Sequence, residues 1–306
     1  MKGKRYILTG ASGCLGGHLL RALVKEGAEV ICISRQFRDG EDAIEEDGRS
    51  CHWVRVDMSE PFRWNPDFDR VDGIFHLASQ LDSHSNADVS KMIAVNVGAS
   101  FWIMSLLNRI QADFLVYAST CSIYGKAPTT GKLDERTPPS PISTYAQTKY
   151  LAETLFRVAI DDRPTKLLII RFTSLYGKGA KYGIIYEFRR LAESHQSIEL
   201  LSEGRCLRNF LHVEDAVDLL LSIARRASQV SGYELFVAGG KESVSTCVLA
   251  EMIVEAFESR SPIVLKTARA SYDWNVIVDN TKAVSLLSFN PMDLKNGILR
   301  YCKEHQ

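Results

Sequence analysis

The sequence predicts an α/β fold: a doubly wound parallel sheet flanked by helices, with a smaller region at the C-terminal end. Three observations carry that expectation. Short apolar runs alternate with segments of helical period through more than half of the chain. The stretch YILTGASGCLGG, residues 6–17, joins a strand pattern to a helix pattern through closely spaced glycines. The last third loses this regular alternation.

Taken in order, RYILT (5–9) reads as the first strand. LGGHLLRALVKEGA follows with Leu15, Leu19, Leu20, Leu23 and Val24 at helical spacing, and stops at Gly27. EVICIS, CHWVRVD and GIFHLAS supply three more strands. VSKMIAVNVGASFWIMSLLNRI (89–110) reads as one long helix and DFLVYAST as a strand. TPPSPIS is a proline-rich loop whose Ser143 is placed to cap a second long helix running to Ile160. KLLIIRFTSLYG (166–177) reads as a strand. Short buried-type strands separated by helices require right-handed crossovers, hence parallel pairing. The expected division is a sheet domain over 1–175, carrying the glycine turn, with a return segment at 207–240. A smaller substrate-binding region would take 176–206 and 241–306.

Composition narrows the function classes. Lys plus Arg and Asp plus Glu each number 37, for a formal net charge of zero, where a general nucleic-acid binder would usually be basic. No window holds 18 uncharged apolar residues, so no membrane span is expected, and a strand beginning near Tyr6 leaves no room for a signal peptide. The seven cysteines are scattered, odd in number and without a C-x-x-C pair, which fits reduced thiols in a cytoplasmic protein rather than disulfides or a zinc site. Cys14, Cys32, Cys121 and Cys247 sit beside apolar or small residues and read as core filling.

Strand, then Gly10, Gly13 and Gly16, then helix is the setting that receives a dinucleotide pyrophosphate. Gly10 permits the sharp turn, Gly13 lets backbone approach the phosphates, and Gly16 lets the helix close on the sheet. The N–H groups and positive dipole end of the helix then face the anion. A purely structural glycine turn is the alternative. An acidic residue at the end of the second strand would accept the ribose 2′-hydroxyl of NAD and repel a 2′-phosphate. Here that strand ends in Ser34 and Arg35, both able to donate to phosphate, so NADP(H) is preferred and NAD(H) possible. Asp57, ending the third strand, can accept from an adenine amino group or act as a local cap.

The chemical signal is Tyr145 and Lys149 in YAQTK, four residues apart and so on one helix face. A phenol is a poor acid or base at neutral pH, and a neighbouring ammonium lowers its pKa. By themselves the two residues say little. They gain weight from the glycine turn and from YASTCSIYG at a strand end, with Thr120 25 residues before Tyr145.

These motifs together resemble the short-chain dehydrogenase/reductase superfamily, in its extended, sugar-nucleotide-modifying branch. The resemblance rests on TGASGCLG, VDM around Asp57, HLAS at 76–79, NVGAS at 96–100, STCSIYG at 119–125, YAQTK, RFTSLYG at 171–177, RNFLHVEDAV at 208–217 and VDNTKAVSLLSFNP. It implies a Rossmann-like fold and roles for single residues. Thr120 would hydrogen-bond the substrate oxygen, Tyr145 would carry the proton, and Lys149 would hold the cofactor ribose and tune the tyrosine. Leu77 and Ala78 would line the cofactor, and Ser79 the substrate. Arg208 would meet the nucleotide diphosphate, with Arg269 a second candidate. His76 and His212 read as structural.

The chain also departs from the family pattern. Dehydratases of this branch place an Asp-Glu pair directly after the Ser/Thr, where Cys121 and Ser122 stand here, so a 4,6-dehydratase is disfavoured. Ser122 would position a sugar hydroxyl or be inert. Ser174 replaces the usual Asn, and Lys178 the usual Pro, beside the substrate loop. Three classes remain: an NADPH-dependent reductase of a nucleotide-linked keto sugar, an NAD-dependent nucleotide-sugar 4-epimerase, and a non-catalytic cofactor-binding protein. The Thr-Tyr-Lys set argues against the last. Apolar runs FWIMSLL and YLAETLF in the two long helices predict a homodimer through them.

Overall fold

The computed structural model describes residues 1–35, 51–81, 88–126, 131–230, 232–269 and 273–305. The first half runs β1 (Arg5–Thr9), α1 (Cys14–Lys25), β2 (Glu29–Ser34), β3 (Cys51–Arg55), β4 (Arg70–Val71), β5 (Gly73–His76), α2 (Val89–Asn96), α3 (Gly98–Leu107), β6 (Gln111–Ala112), β7 (Phe114–Thr120) and α4 (Thr144–Ile160). It continues β8 (Lys166–Phe172), β9 (Ser174–Tyr176), α5 (Ile184–Glu193), β10 (Ile198–Leu200), β11 (Leu207–His212), α6 (Val213–Arg226) and β12 (Tyr233–Ala238). The end of the chain holds β13 (Ser243–Ser245), α7 (Thr246–Ala256), β14 (Ile263–Leu265), α8 (Thr281–Leu287) and α9 (Leu294–Lys303).

Seven strands form one sheet in the order β12-β8-β7-β5-β1-β2-β3. Every pair from β7 through β5, β1 and β2 to β3 is parallel. The chain leaves β1 for β2 on one side and later reaches β5 on the other, so the sheet is doubly wound, as the alternating pattern predicts. The order reverses at β1, and the glycine turn sits at its carboxyl end, the switch point where ligands of such sheets bind.

The chain forms two compact units, 1–123 with 141–171 and 217–236, and 124–140 with 172–216 and 237–306. The return into the first unit is shorter than the expected 207–240 because β11 pairs with β9 and β13 of the second. The first core brings sheet residues such as Ile7, Ile74, Leu115 and Ile169 against Trp102, Leu106 and Phe156 of α3 and α4. The second gathers Tyr176, Phe188, Phe210, Leu249, Ile253, Ile298 and Tyr301.

Two elements differ from expectation. The helix predicted over 89–110 is α2 and α3, meeting at Val97, where the Ser100 N–H bonds the Val97 carbonyl at 3.0 Å. Asn96 sits at that joint, buried and hydrogen-bonded. By length and composition Val89–Leu107 would be long and apolar enough to cross a membrane, but Trp102, Ile103 and Leu106 are spent on the first core. The strand predicted over 166–177 breaks at Thr173, so β8 and β9 join different sheets. Among the described residues no cysteine forms a disulfide and no cluster suits a metal. Cys14 and Cys247 are only half-buried, whereas Cys51, Cys206 and Cys302 are buried along with Cys32 and Cys121, so core filling extends to different thiols than the local sequence suggests.

Candidate active site

The glycine turn is built by close approach. Gly10 has φ +76°, and a Cβ there would meet Ala78 N at 2.7 Å. A Cβ on Gly16 would lie 2.0 Å from the Gly10 carbonyl oxygen, so α1 closes on the turn only with glycine there. Gly13 is different: a Cβ would touch only Gly10 O, at 3.2 Å, leaving its backbone face otherwise open. Gly13 is the N-cap of α1, with no side-chain cap and no acidic residue in the first turn. Such a helix start fits an anionic pyrophosphate. Thr9 joins the turn to β5. Its hydroxyl lies 2.7 Å from His76 Nδ1 and accepts from the Ala78 N–H at 3.2 Å, while Leu77 N–H bonds the Thr9 carbonyl at 3.3 Å.

Ser34 ends β2, and exposed Arg35 follows it. Asp57 lies beyond the end of neighbouring β3 and makes a local turn, accepting from Ser59 N–H at 3.0 Å and Ser59 Oγ at 2.6 Å. Burial pushes the Asp57 carboxyl up, but those hydrogen bonds and the Arg35 charge hold it below the ordinary carboxylate range. Arg35 therefore stands where the sequence places it, with Asp57 near enough to share its field.

Thr120, Tyr145 and Lys149 all belong to the first unit. Ser143 caps α4 by accepting from Ala146 N–H at 3.2 Å, as predicted. Tyr145, in the first turn of α4, is half-buried, and Lys149, one turn further on, is buried. The Lys149 Nζ sits 4.2 Å from the ring centroid of Tyr117 on β7. Desolvation pulls its pKa down to about 7 against the opposing charge of Glu153. An ammonium at that balance gains or loses a proton near neutrality. Desolvation, with Lys149 as the lesser cause, holds His76 neutral down to about 3, so it is a structural imidazole. Thr120 closes β7. Its hydroxyl donates to Ser122 Oγ at 3.1 Å and accepts from Ser122 N–H at 3.1 Å.

Several side chains that organise this face were not singled out in the sequence. Asn96 accepts from Gln80 N–H at 2.7 Å and donates to Gln80 O at 3.0 Å. It also receives Ser79 Oγ at 3.1 Å and donates to Thr148 Oγ1 at 3.0 Å, while Thr148 Oγ1 donates to the Tyr145 carbonyl at 2.8 Å. Buried Glu153 is bound by Arg171 and Ser119. The available signal was its spacing: residues 145, 149 and 153 share one face of α4.

The second unit holds the remaining predicted residues. Ser174 is exposed on β9. Arg208 on β11 donates from Nη1 to the Leu207 carbonyl at 2.8 Å and to the Trp274 carbonyl. Exposed Arg269 lies 3.9 Å from Asp273, whose carboxylate also accepts from the Cys206 thiol at 3.1 Å. His212 is buried at the end of β11.

Comparison with known proteins gives the family and agrees with the fold. The sequence model of the NAD dependent epimerase/dehydratase family matches residues 6–239. The chain belongs to that family. Among its relatives is a dTDP-4-dehydro-6-deoxy-D-allose reductase of a Streptomyces species, 24% identical over 97% of this chain and 94% of that protein. A putative UDP-glucose 4-epimerase of Methanocaldococcus jannaschii is 23% identical over 96% of each. The solved structure of MoeE5 in complex with UDP-glucose and NAD has the same fold, with a TM-score of 0.83, 24% identity and 98% of each chain covered.

Proposed function

We propose that the protein is an oxidoreductase that reduces a keto group, at C4, of a nucleotide-linked deoxy sugar, with NADPH as the preferred cofactor. The observation that carries the reading is the Thr120–Tyr145–Lys149 set, with Lys149 buried and balanced near neutrality. When bound, the dinucleotide supplies the hydride. Tyr145 donates a proton to the carbonyl oxygen as that oxygen gains electrons, and the Thr120 hydroxyl gives it a second hydrogen bond where charge develops. Charged Lys149 one helical turn away favours the phenolate that Tyr145 leaves, and its protonation near neutral pH lets the pair recover. Ser122, tied to Thr120, holds the Thr120 hydroxyl or a sugar hydroxyl in place. Cys121 and Ser122 offer no carboxylate for elimination of water.

Gly10, Gly13, Gly16, Leu77 and Ala78 would hold the dinucleotide, with Ser34 and Arg35 donating to a 2′-phosphate and Asp57 facing the adenine end. Ser79, Ser174, Arg208 and Arg269 would serve the nucleotide sugar. The Streptomyces relative supports a reductase by its name.

A second reading is an NAD-dependent 4-epimerase. The family description names NAD, and a relative and a neighbouring structure are an epimerase and a complex with UDP-glucose and NAD. One assay separates them: the protein is given NADPH or NADH and a panel of dTDP- and UDP-linked 4-keto sugars, with products followed by NMR. One-to-one NADPH consumption with an alcohol product supports the reductase. Interconversion of two sugar isomers without net cofactor change replaces it with the epimerase.

The protein is further proposed to be a cytoplasmic homodimer. An odd number of scattered cysteines, with no disulfide among the described residues, fits a reducing compartment, and Ile93 (47% exposed) and Phe101 (54%) on α2 and α3, with Leu151 (48%) and Val158 (76%) on α4, are unusual exposed apolar residues. A monomer at micromolar concentration by light scattering would refute the dimer.

A further inference from the structure

Glu153 is a buried acid of the first unit that the proposed reaction does not use. It is 2% exposed and lies on α4 one turn beyond Lys149 and two beyond Tyr145. Arg171 of β8 donates to it twice, Nη2 to Oε2 at 2.7 Å and Nε to Oε1 at 3.1 Å. The Ser119 hydroxyl of β7 donates to the same Oε1. On the far side of Thr120, the Cys121 thiol donates to the Arg171 carbonyl at 3.2 Å. Thr120 is thus flanked by Ser119, tied to the Glu153 carboxylate, and by Cys121, tied to the backbone of the strand that carries Arg171.

A buried ion pair is a poor way to gain stability, because desolvation of both charges offsets their attraction, and apolar side chains of similar size do as well. Its retention in this core calls for another account. The groups that meet Lys149 are the Tyr117 ring of β7, neutral His76 of β5 and Glu153 of its own helix. Among them Glu153 supplies the negative charge.

We infer that Glu153 is a positioning residue: it ties the strand end that carries Thr120 to the helix face that carries Tyr145 and Lys149, and it fixes an anion one turn from the Lys149 ammonium. The inference rests on the reading of Thr120, Tyr145 and Lys149 as the reacting set.

The test is a double variant, Glu153→Leu with Arg171→Met, which replaces the pair by apolar groups and avoids leaving one charge buried alone. Thermal unfolding reports folding. The Lys149 ammonium is titrated by NMR with ε-carbon-labelled lysine, its signal assigned from the Lys149→Met spectrum, on protein without substrate or cofactor. The expected result is a melt like wild type, a Lys149 titration moved to lower pH, and kcat for keto-sugar reduction down about tenfold with KM little changed. A double variant that folds normally with wild-type titration and wild-type kcat would overturn the inference. If it melts far below wild type, Ser119→Ala decides, since it cuts only the tether to β7. A several-fold fall in kcat with Lys149 titrating as before upholds the tether, and unchanged kcat refutes it. Failure of the reacting set itself is read separately: Tyr145→Phe then keeps its turnover, whereas the Lys149 titration needs no substrate at all.

Discussion

The charged candidate residues of the first unit and of the second are held in opposite ways. In the first, Lys149, Glu153 and Arg171 are buried together, and the lysine is pulled down to about 7 by desolvation. In the second, Arg269 is exposed beside Asp273, and Arg208 rests on backbone carbonyls. A buried charge is held at the edge of its protonation equilibrium and suits proton transfer. A guanidinium that never loses its proton suits recognition of a phosphate. Groups of the first kind should control kcat, and groups of the second kind KM.

The sharpest test of that contrast is Tyr145→Phe. The ring still packs but the proton is gone, so turnover should fall by about 10²–10⁴-fold while cofactor affinity by fluorescence titration stays near wild type. Retained turnover would break the assignment outright. Thr120→Ala should follow at about 10²-fold in kcat, with Thr120→Ser close to wild type because only the hydroxyl works.

Arg208→Ala should act on the other side of the comparison, raising KM about tenfold with kcat little altered, as loss of a charged hydrogen bond predicts. A fall in kcat of the same size at unchanged KM would erase the distinction between the units. Arg35→Asp should weaken NADPH while sparing NADH, since it sets a like charge against the 2′-phosphate. Equal losses for both cofactors, measured by titration, would move the reading toward NAD.

The last test is stability against pH, whose sign follows from the buried bases. Lys149 has an ordinary value of 10.5 and titrates near 7 when folded. Below about pH 7 it is charged in folded and unfolded chains alike, and the folded state bears the full cost of burying the charge. From about 7 to 10.5 only the unfolded chain holds the proton, so stability rises with pH across that window. His76 acts with the same sign lower down, where stability is lost as pH falls from 6.5 toward 3. Denaturant melts of Lys149→Met should lose the upper slope, and those of His76→Gln the lower one. Wild-type slopes in both would contradict the burial argument.

Much of this was legible in the sequence where the physics is local. Gly10, Gly13 and Gly16 announce their turn because backbone freedom belongs to the residue itself, and the structure supplies the close approaches that require two of them. Tyr145 and Lys149 fall on one face because helical period is fixed. Ser143 caps α4 because its hydroxyl accepts from an N–H only three residues ahead.

Tertiary structure alone decided the rest. The helix that the periodicity carries through is interrupted at Val97, where Ser100 N–H turns to the Val97 carbonyl, and beside that joint the Asn96 amide serves Gln80 and Thr148, 16 and 52 residues away. Thr173 divides a continuous apolar run because its two halves find partners in different sheets. The state of Lys149 depends on the water it has lost to Tyr117 and its neighbours. Glu153 reads as one more helix surface charge until Arg171 and Ser119 close over it. Desolvation and pairing across the fold are properties of what surrounds a residue, and no run of neighbouring letters contains them.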